Sequence, residues 1–140
     1  MDYDDVPAPP LVLVVDDHAE GREICARLLE QAGFRVATAI NGLDGLVKAL
    51  TLRPDVIVMD LAMPDLDGLD CTRQLAASTL TREIPVIVLT AHATPETQAN
   101  AAAAGCSGFL VKPLLPELLI EEVGRLGGRP QSGSAERSSA

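Results

Sequence analysis

The run LVLVVDD, Leu11 to Asp17, decides how the chain folds. Five aliphatic residues follow one another and give way abruptly to two carboxylates. A strand with one face in water alternates apolar with polar residues. A continuous apolar strand is buried on both faces, which is the condition of a parallel sheet covered by helices. Outward from this run the same unit recurs at Phe34 to Ala39, Val56 to Met59, Val86 to Leu89 and Phe109 to Val111. Longer segments of helical period lie between these runs. The chain is therefore expected to alternate strand and helix five times, giving an α/β doubly wound (βα)5 sandwich around a parallel sheet.

The helical segments carry their own boundary signals. From about His18 to Ala32 the residues Ile24, Cys25, Leu28 and Leu29 are expected to face inward, and Gly33 stops the helix. Asn41 is placed to cap a second helix in which Leu43, Leu46, Val47 and Leu50 fall at i, i+3, i+4 and i+7, with Pro54 at its exit. Leu69 to about Thr79 forms the third helix, and Pro95 to Ala104, capped by Thr94, forms the fourth. Pro116 opens a fifth that carries Leu119, Val123 and Leu126 on one side. The reading gives one domain over residues 11–126, a flexible segment over 1–10 and a disordered tail over 127–140.

Composition narrows the function. The 140 residues allow one ordinary domain, and 47% apolar content excludes disorder throughout. A net charge of −9 with no basic patch disfavours nucleic acid and anionic membrane surfaces as partners. No apolar run is long enough to span a bilayer, and residues 1–10 lack the character of a secretion signal. Cys25, Cys71 and Cys106 are odd in number and form no CxxC pair, so they read as small buried hydrophobes in a reducing, cytoplasmic setting.

The residues that carry chemistry sit where the strands end. Asp16 and Asp17 follow the first strand, Asp60 the third, Thr90 the fourth and Lys112 the fifth. Open α/β sheets bind ligands at the carboxyl ends of their strands, where the winding reverses. In the flavodoxin-like order 2-1-3-4-5 the first and third strands are neighbours, which brings Asp16, Asp17 and Asp60 into one small volume. Three such carboxylates repel one another unless a cation is present, and Mg²⁺ suits the set because it is hard and prefers oxygen. Lys112 and Thr90 would then face a phosphate held by the same ion.

In sequence the chain resembles the receiver domain of two-component response regulators, of the single-domain type seen in chemotaxis and cell-cycle regulation. The resemblance runs from about Leu11 to Leu126. It rests on VVDD at Val14 to Asp17, VMDLAMPDLDG at Val58 to Gly68, VIVLTA at Val86 to Ala91 and AAGCSGFLVKP at Ala103 to Pro113. It implies that Asp60 is the phosphoacceptor and that Asp16, Asp17, Asp60 and the backbone carbonyl of Ala62 hold Mg²⁺. By the same resemblance Thr90 and Lys112 bind phosphoryl oxygens, Thr90 and Phe109 form the switch, and Lys112-Pro113 is a cis bond. Ala62 and His92 are the positions at which receivers vary, and they are expected to tune dephosphorylation. His18 and His92 are not expected to be ligands, and Gly68 is expected to free the turn that leaves the site loop.

The implied donor is a histidine kinase or phosphotransfer protein, and the implied output is a downstream protein docked on the face of helix four, strand five and helix five. A haloacid-dehalogenase-type phosphatase would need a second Asp two residues after the first, where this chain has Ala62. The protein is therefore expected to be a phosphoacceptor and not an enzyme. A receiver belonging to a hybrid histidine kinase, or an unphosphorylated interaction module of the same fold, are the alternatives.

Overall fold

In the computed structural model, which describes residues 8–62 and 68–130, five strands form one parallel sheet. They are β1 (Leu11–Val15), β2 (Arg35–Ala39), β3 (Val56–Asp60), β4 (Val86–Thr90) and β5 (Gly108–Val111), in spatial order β2-β1-β3-β4-β5. The helices are α1 (Ala19–Gln31), α2 (Gly42–Leu52), α3 (Gly68–Ala77), α4 (Pro95–Ala104) and α5 (Pro116–Gly127). Each expected element is present, with ends displaced by no more than two residues.

Side chains of a strand point alternately to the two faces of its sheet, and two separate cores result. Leu13, Val15, Ile57, Met59, Val86 and Val88 pack with Ala49 of α2, Cys71 and Leu75 of α3 and Ala101 of α4. Val12, Val14, Val58, Ile87 and Leu89 pack with Cys25 and Leu29 of α1 and Leu119 and Val123 of α5. Three helices thus cover one face and two the other. The central strands β3 and β4 are buried at every residue, which explains why their sequences run apolar without alternation.

The caps follow the sequence. The Asn41 side chain accepts from Asp44 N at 2.8 Å, and Thr94 Oγ1 accepts from Thr97 N at 3.1 Å. Gly33, at φ 102°, turns the chain out of α1. Ahead of β1, the carbonyls of Pro9 and Pro10 accept from the Arg35 side chain at 2.8 Å and the Arg35 amide at 3.0 Å.

Two inward faces differ from expectation. Ile24 of α1 is exposed, while Cys25 and Leu29 are buried and Leu28 is partly so. In α2 the leucine-rich stripe points outward: Leu43 is 65% exposed, Val47 50% and Leu50 44%. The buried stripe is Gly42, Gly45 and Ala49, with Leu46 partly buried beside them. The two stripes have the same period and are offset by one residue. Close approach to β1 selects the smaller one, because a Cβ on Gly45 would lie 3.0 Å from Val15 Cγ2.

Candidate functional site

Strand register brings the polar residues together. Val15 pairs with Met59, so the residues that follow, Asp16 and Asp60, leave neighbouring strands at the same level. Asp60 pairs with Leu89 and Thr90 with Val111, which sets Thr90 and Lys112 beside them at that edge. The Lys112 amide donates to the Thr90 carbonyl at 2.8 Å, and the Lys112–Pro113 peptide is cis.

Asp60 is the centre of the arrangement and only 1% exposed. Its Oδ1 accepts from the Ala62 amide at 3.1 Å and lies 3.3 Å from Lys112 Nζ. Its Oδ2 is buried and has no hydrogen-bond partner among the described residues. Asp16 is also buried, and its Oδ1 accepts from His18 N at 2.9 Å. Burial pushes the Asp16 carboxyl above the ordinary aspartate range; the neighbouring Asp60 charge adds to the rise, and the His18 amide and Lys112 oppose it. Asp17 is partly exposed, but its Oδ1 is buried and lacks a hydrogen-bond partner.

Two buried carboxylate oxygens without an aligned donor among the described residues are costly unless something positive reaches them. Ligand atoms of Asp16, Asp17, His18 and Asp60 all lie within 4.8 Å of one another. Three carboxylates at that spacing fit a hard divalent cation such as Mg²⁺. Thr90 is buried and its Oγ1 accepts from the His92 amide at 3.0 Å, so its hydroxyl proton is free to be donated elsewhere. Phe109 is partly buried against the core shared by α2, α3 and α4. Ala62 and His92 are exposed residues at the rim.

Three features of the site were not legible in the sequence. The His18 ring, set aside as a ligand, places Nδ1 2.9 Å from Asp17 Oδ1 and 3.6 Å from Asp16 Oδ1. Only its position directly after two aspartates could have signalled this. Arg22 donates to the Asp16 carbonyl at 2.9 Å, and Gly21 leaves room for Asp16, since a Cβ there would come 2.9 Å from Oδ2. Gly68 is needed for close approach and not for a left-handed turn: a Cβ would strike the Asp60 carbonyl and come 2.7 Å from Leu61 Cα. Residues 63–67 of the site loop lie outside the described residues.

The comparisons with known proteins bear on the family and the fold. The model of the response regulator receiver domain matches residues 12–124. The chain is 38% identical over 131 residues to the transcriptional regulatory protein PrrA of Mycobacterium tuberculosis, covering 94% of this chain and 54% of that protein. It thus spans about half the length of that relative. Its fold is similar to that of the chemotaxis protein CheY4 of Vibrio cholerae, with TM-score 0.81, 34% identity and coverage of 85% of this chain and 99% of that one. It is similar also to the receiver domain of the sensor histidine kinase PA1611 from Pseudomonas aeruginosa, with TM-score 0.80, 31% identity and coverage of 86% and 99%. That structure has a magnesium ion coordinated in its active site cleft. The strand order, the acidic crevice and the matched sequence lead to one conclusion: this chain belongs to the response regulator receiver domain family.

Proposed function

We propose that this receiver takes a phosphoryl group onto Asp60 from a histidine kinase or phosphotransfer protein and passes the signal on by protein contact. The observation that carries the reading is the buried Asp60 carboxylate, with Lys112 on one oxygen and no hydrogen-bond partner on the other among the described residues. An oxygen of Asp60 attacks phosphorus, a new O–P bond forms, and the bond from phosphorus to the donor breaks with its electron pair leaving on the donor. The carboxylates of Asp16, Asp17 and Asp60 with the Ala62 carbonyl would hold Mg²⁺. When bound, that ion neutralises charge on the phosphoryl oxygens. Lys112 supplies a second positive charge, and the Thr90 hydroxyl donates to a phosphoryl oxygen.

The switch follows from Thr90. As its hydroxyl is drawn to the phosphoryl group, the His92 amide loses its acceptor and the loop into α4 moves, with Phe109 turning inward. The α4–β5–α5 face suits the outgoing contact because Val111, Leu115 and Leu118 are exposed there. Net charge argues for a protein partner over nucleic acid or a membrane surface. Among the described residues no helix is long and apolar enough to cross a membrane.

The test is incubation with acetyl phosphate and Mg²⁺, followed by intact-mass spectrometry. One phosphoryl group should be added to the natural chain and none to Asp60→Asn. Equal labelling of the two proteins would overturn the assignment.

A further inference from the structure

The acidic pocket contains one donor that an all-oxygen magnesium site has no use for. His18 follows the two aspartates directly, immediately ahead of α1, and its ring lies over them and not out in solvent alone. Its Nδ1 is 2.9 Å from Asp17 Oδ1, without hydrogen-bond alignment, and 3.6 Å from Asp16 Oδ1. It stands with Asp16, Asp17 and Asp60 in a set whose ligand atoms all lie within 4.8 Å of one another. The second sign that the pocket takes a cation is Asp60 Oδ2, which has no hydrogen-bond partner among the described residues on a side chain 98% buried. We propose that His18 makes this pocket a mixed nitrogen and oxygen site that selects a first-row transition cation of the Co²⁺ type over Mg²⁺, with Nδ1 as a ligand.

The chemistry follows from donor hardness. Mg²⁺ gains little from an imidazole nitrogen and holds its waters tightly, whereas Co²⁺, Ni²⁺ and Zn²⁺ all bind nitrogen well, with affinity rising from Co²⁺ to Ni²⁺. Three carboxylates with one imidazole and no thiolate form a set for an octahedral ion, not for a closed tetrahedral zinc centre. The ring is also free to reorient. Its side chain is 72% exposed, and the bonds that fix residue 18 are those of its backbone: the amide to Asp16 Oδ1 at 2.9 Å and the carbonyl from Arg22 N at 3.0 Å. Both survive replacement of the ring, so His18→Ala removes the nitrogen and leaves the oxygen ligands in place.

This inference rests on the reading of the pocket as a cation site, and the experiment separates the two. The untagged full chain, His18→Ala and Asp60→Asn are titrated calorimetrically with MgCl₂ and with CoCl₂, and the ring protons of both histidines are followed by NMR with Co²⁺. Selection by nitrogen ligation predicts Co²⁺ binding at least about tenfold tighter than Mg²⁺ in the natural chain. His18→Ala should lose most of that advantage while its Mg²⁺ affinity stays within about twofold, and His18 ring protons should be carried far outside the diamagnetic range. Asp60→Asn should weaken both ions. Equal weakening of both ions by His18→Ala, or His18 protons that stay in the diamagnetic range while Co²⁺ binds, would overturn nitrogen ligation and leave the magnesium reading standing. Failure of both ions to bind the natural chain would overturn both readings, and Mg²⁺ binding as tight as or tighter than Co²⁺ would overturn the selection.

Discussion

Lys112 Nζ stands 3.3 Å from Asp60 Oδ1, while Oδ2 of the same carboxylate has no hydrogen-bond partner among the described residues. The two oxygens of one buried group are therefore unequal. One is held by the Lys112 ammonium and the Ala62 amide, and the other has no hydrogen-bond partner among the described residues. Lys112 itself is held by its backbone bond to the Thr90 carbonyl, so the cation and the hydroxyl beside Asp60 are positioned by the same pair of strand ends.

Lys112→Gln should leave the fold intact and slow labelling by acetyl phosphate by about 10²-fold, the size of effect seen when one preorganised charge-stabilising group is removed. Without Mg²⁺ the variant should also lose about 1–2 kcal/mol of stability, less than for a wholly buried pair because the lysine is partly exposed. Labelling rates and urea midpoints measure the two effects. An unchanged labelling rate would remove Lys112 from the phosphoryl site.

Asp16→Asn should stabilise the metal-free protein, and more so as pH rises. The Asp16 carboxyl is raised above its unfolded value, chiefly by burial and then by Asp60. A raised carboxyl contributes stability at pH below the unfolded value, and that contribution is lost as pH climbs through the folded value. The natural chain should therefore fall behind the variant between mildly acidic and neutral pH, and saturating Mg²⁺ should close or reverse the gap. Urea midpoints across that range, with and without Mg²⁺, test the sign; a gap that shrinks with rising pH would contradict it.

The two stripes of α2 give a sharper packing test. Ala49→Leu adds volume to a position with no exposure and should cost about 1–3 kcal/mol, whereas Leu43→Gln on the outer stripe should change stability by less than about 0.5 kcal/mol. The reverse order of midpoints would mean that the leucine stripe faces the sheet.

That helix shows where sequence reasoning stops. Strands were legible because a strand buried on both faces admits only apolar residues, so Leu11–Val15, Val56–Asp60 and Val86–Thr90 could be read with the polar residues that end or follow them. The site was legible for the same reason: Asp16, Asp60, Thr90 and Lys112 interrupt or follow those runs without serving them. Residues 42–50 of α2 carry two stripes of equal period, and hydrophobicity favours the bulkier one. Which stripe faces inward is set by how closely α2 approaches Val15, a distance no single sequence states. The close approach at Gly68 and the placement of the His18 ring escaped for a like reason, since each depends on residues brought near by the fold or a local turn.

On the proposed reading, the lifetime of a phosphoryl group on Asp60 should depend on the rim. Hydrolysis requires a water opposite the Asp60–phosphorus bond, and a side-chain amide or carboxylate nearby can hold that water in line. Two residues are tied by their backbones to the groups concerned: Ala62, whose amide donates to Asp60 Oδ1 at 3.1 Å, and His92, whose amide donates to Thr90 Oγ1 at 3.0 Å. Both are exposed, so their side chains are available to the approaching water. A methyl group at Ala62 cannot orient water. The His92 ring is bulky, and shielding of phosphorus is the effect expected of it. Asp60 phosphate should accordingly be long-lived for a receiver, which suits a relay or a slow change of state better than rapid resetting. Ala62→Asn and His92→Glu each supply a group that can hold water, and each should shorten the half-life by about tenfold, the lower end of what positioned proton-transfer or orienting groups contribute. The measurement is the decay of phosphorylated protein by intact mass after removal of acetyl phosphate. If both variants decay at the natural rate, the rim residues do not govern the water, and access to phosphorus is set elsewhere in the site.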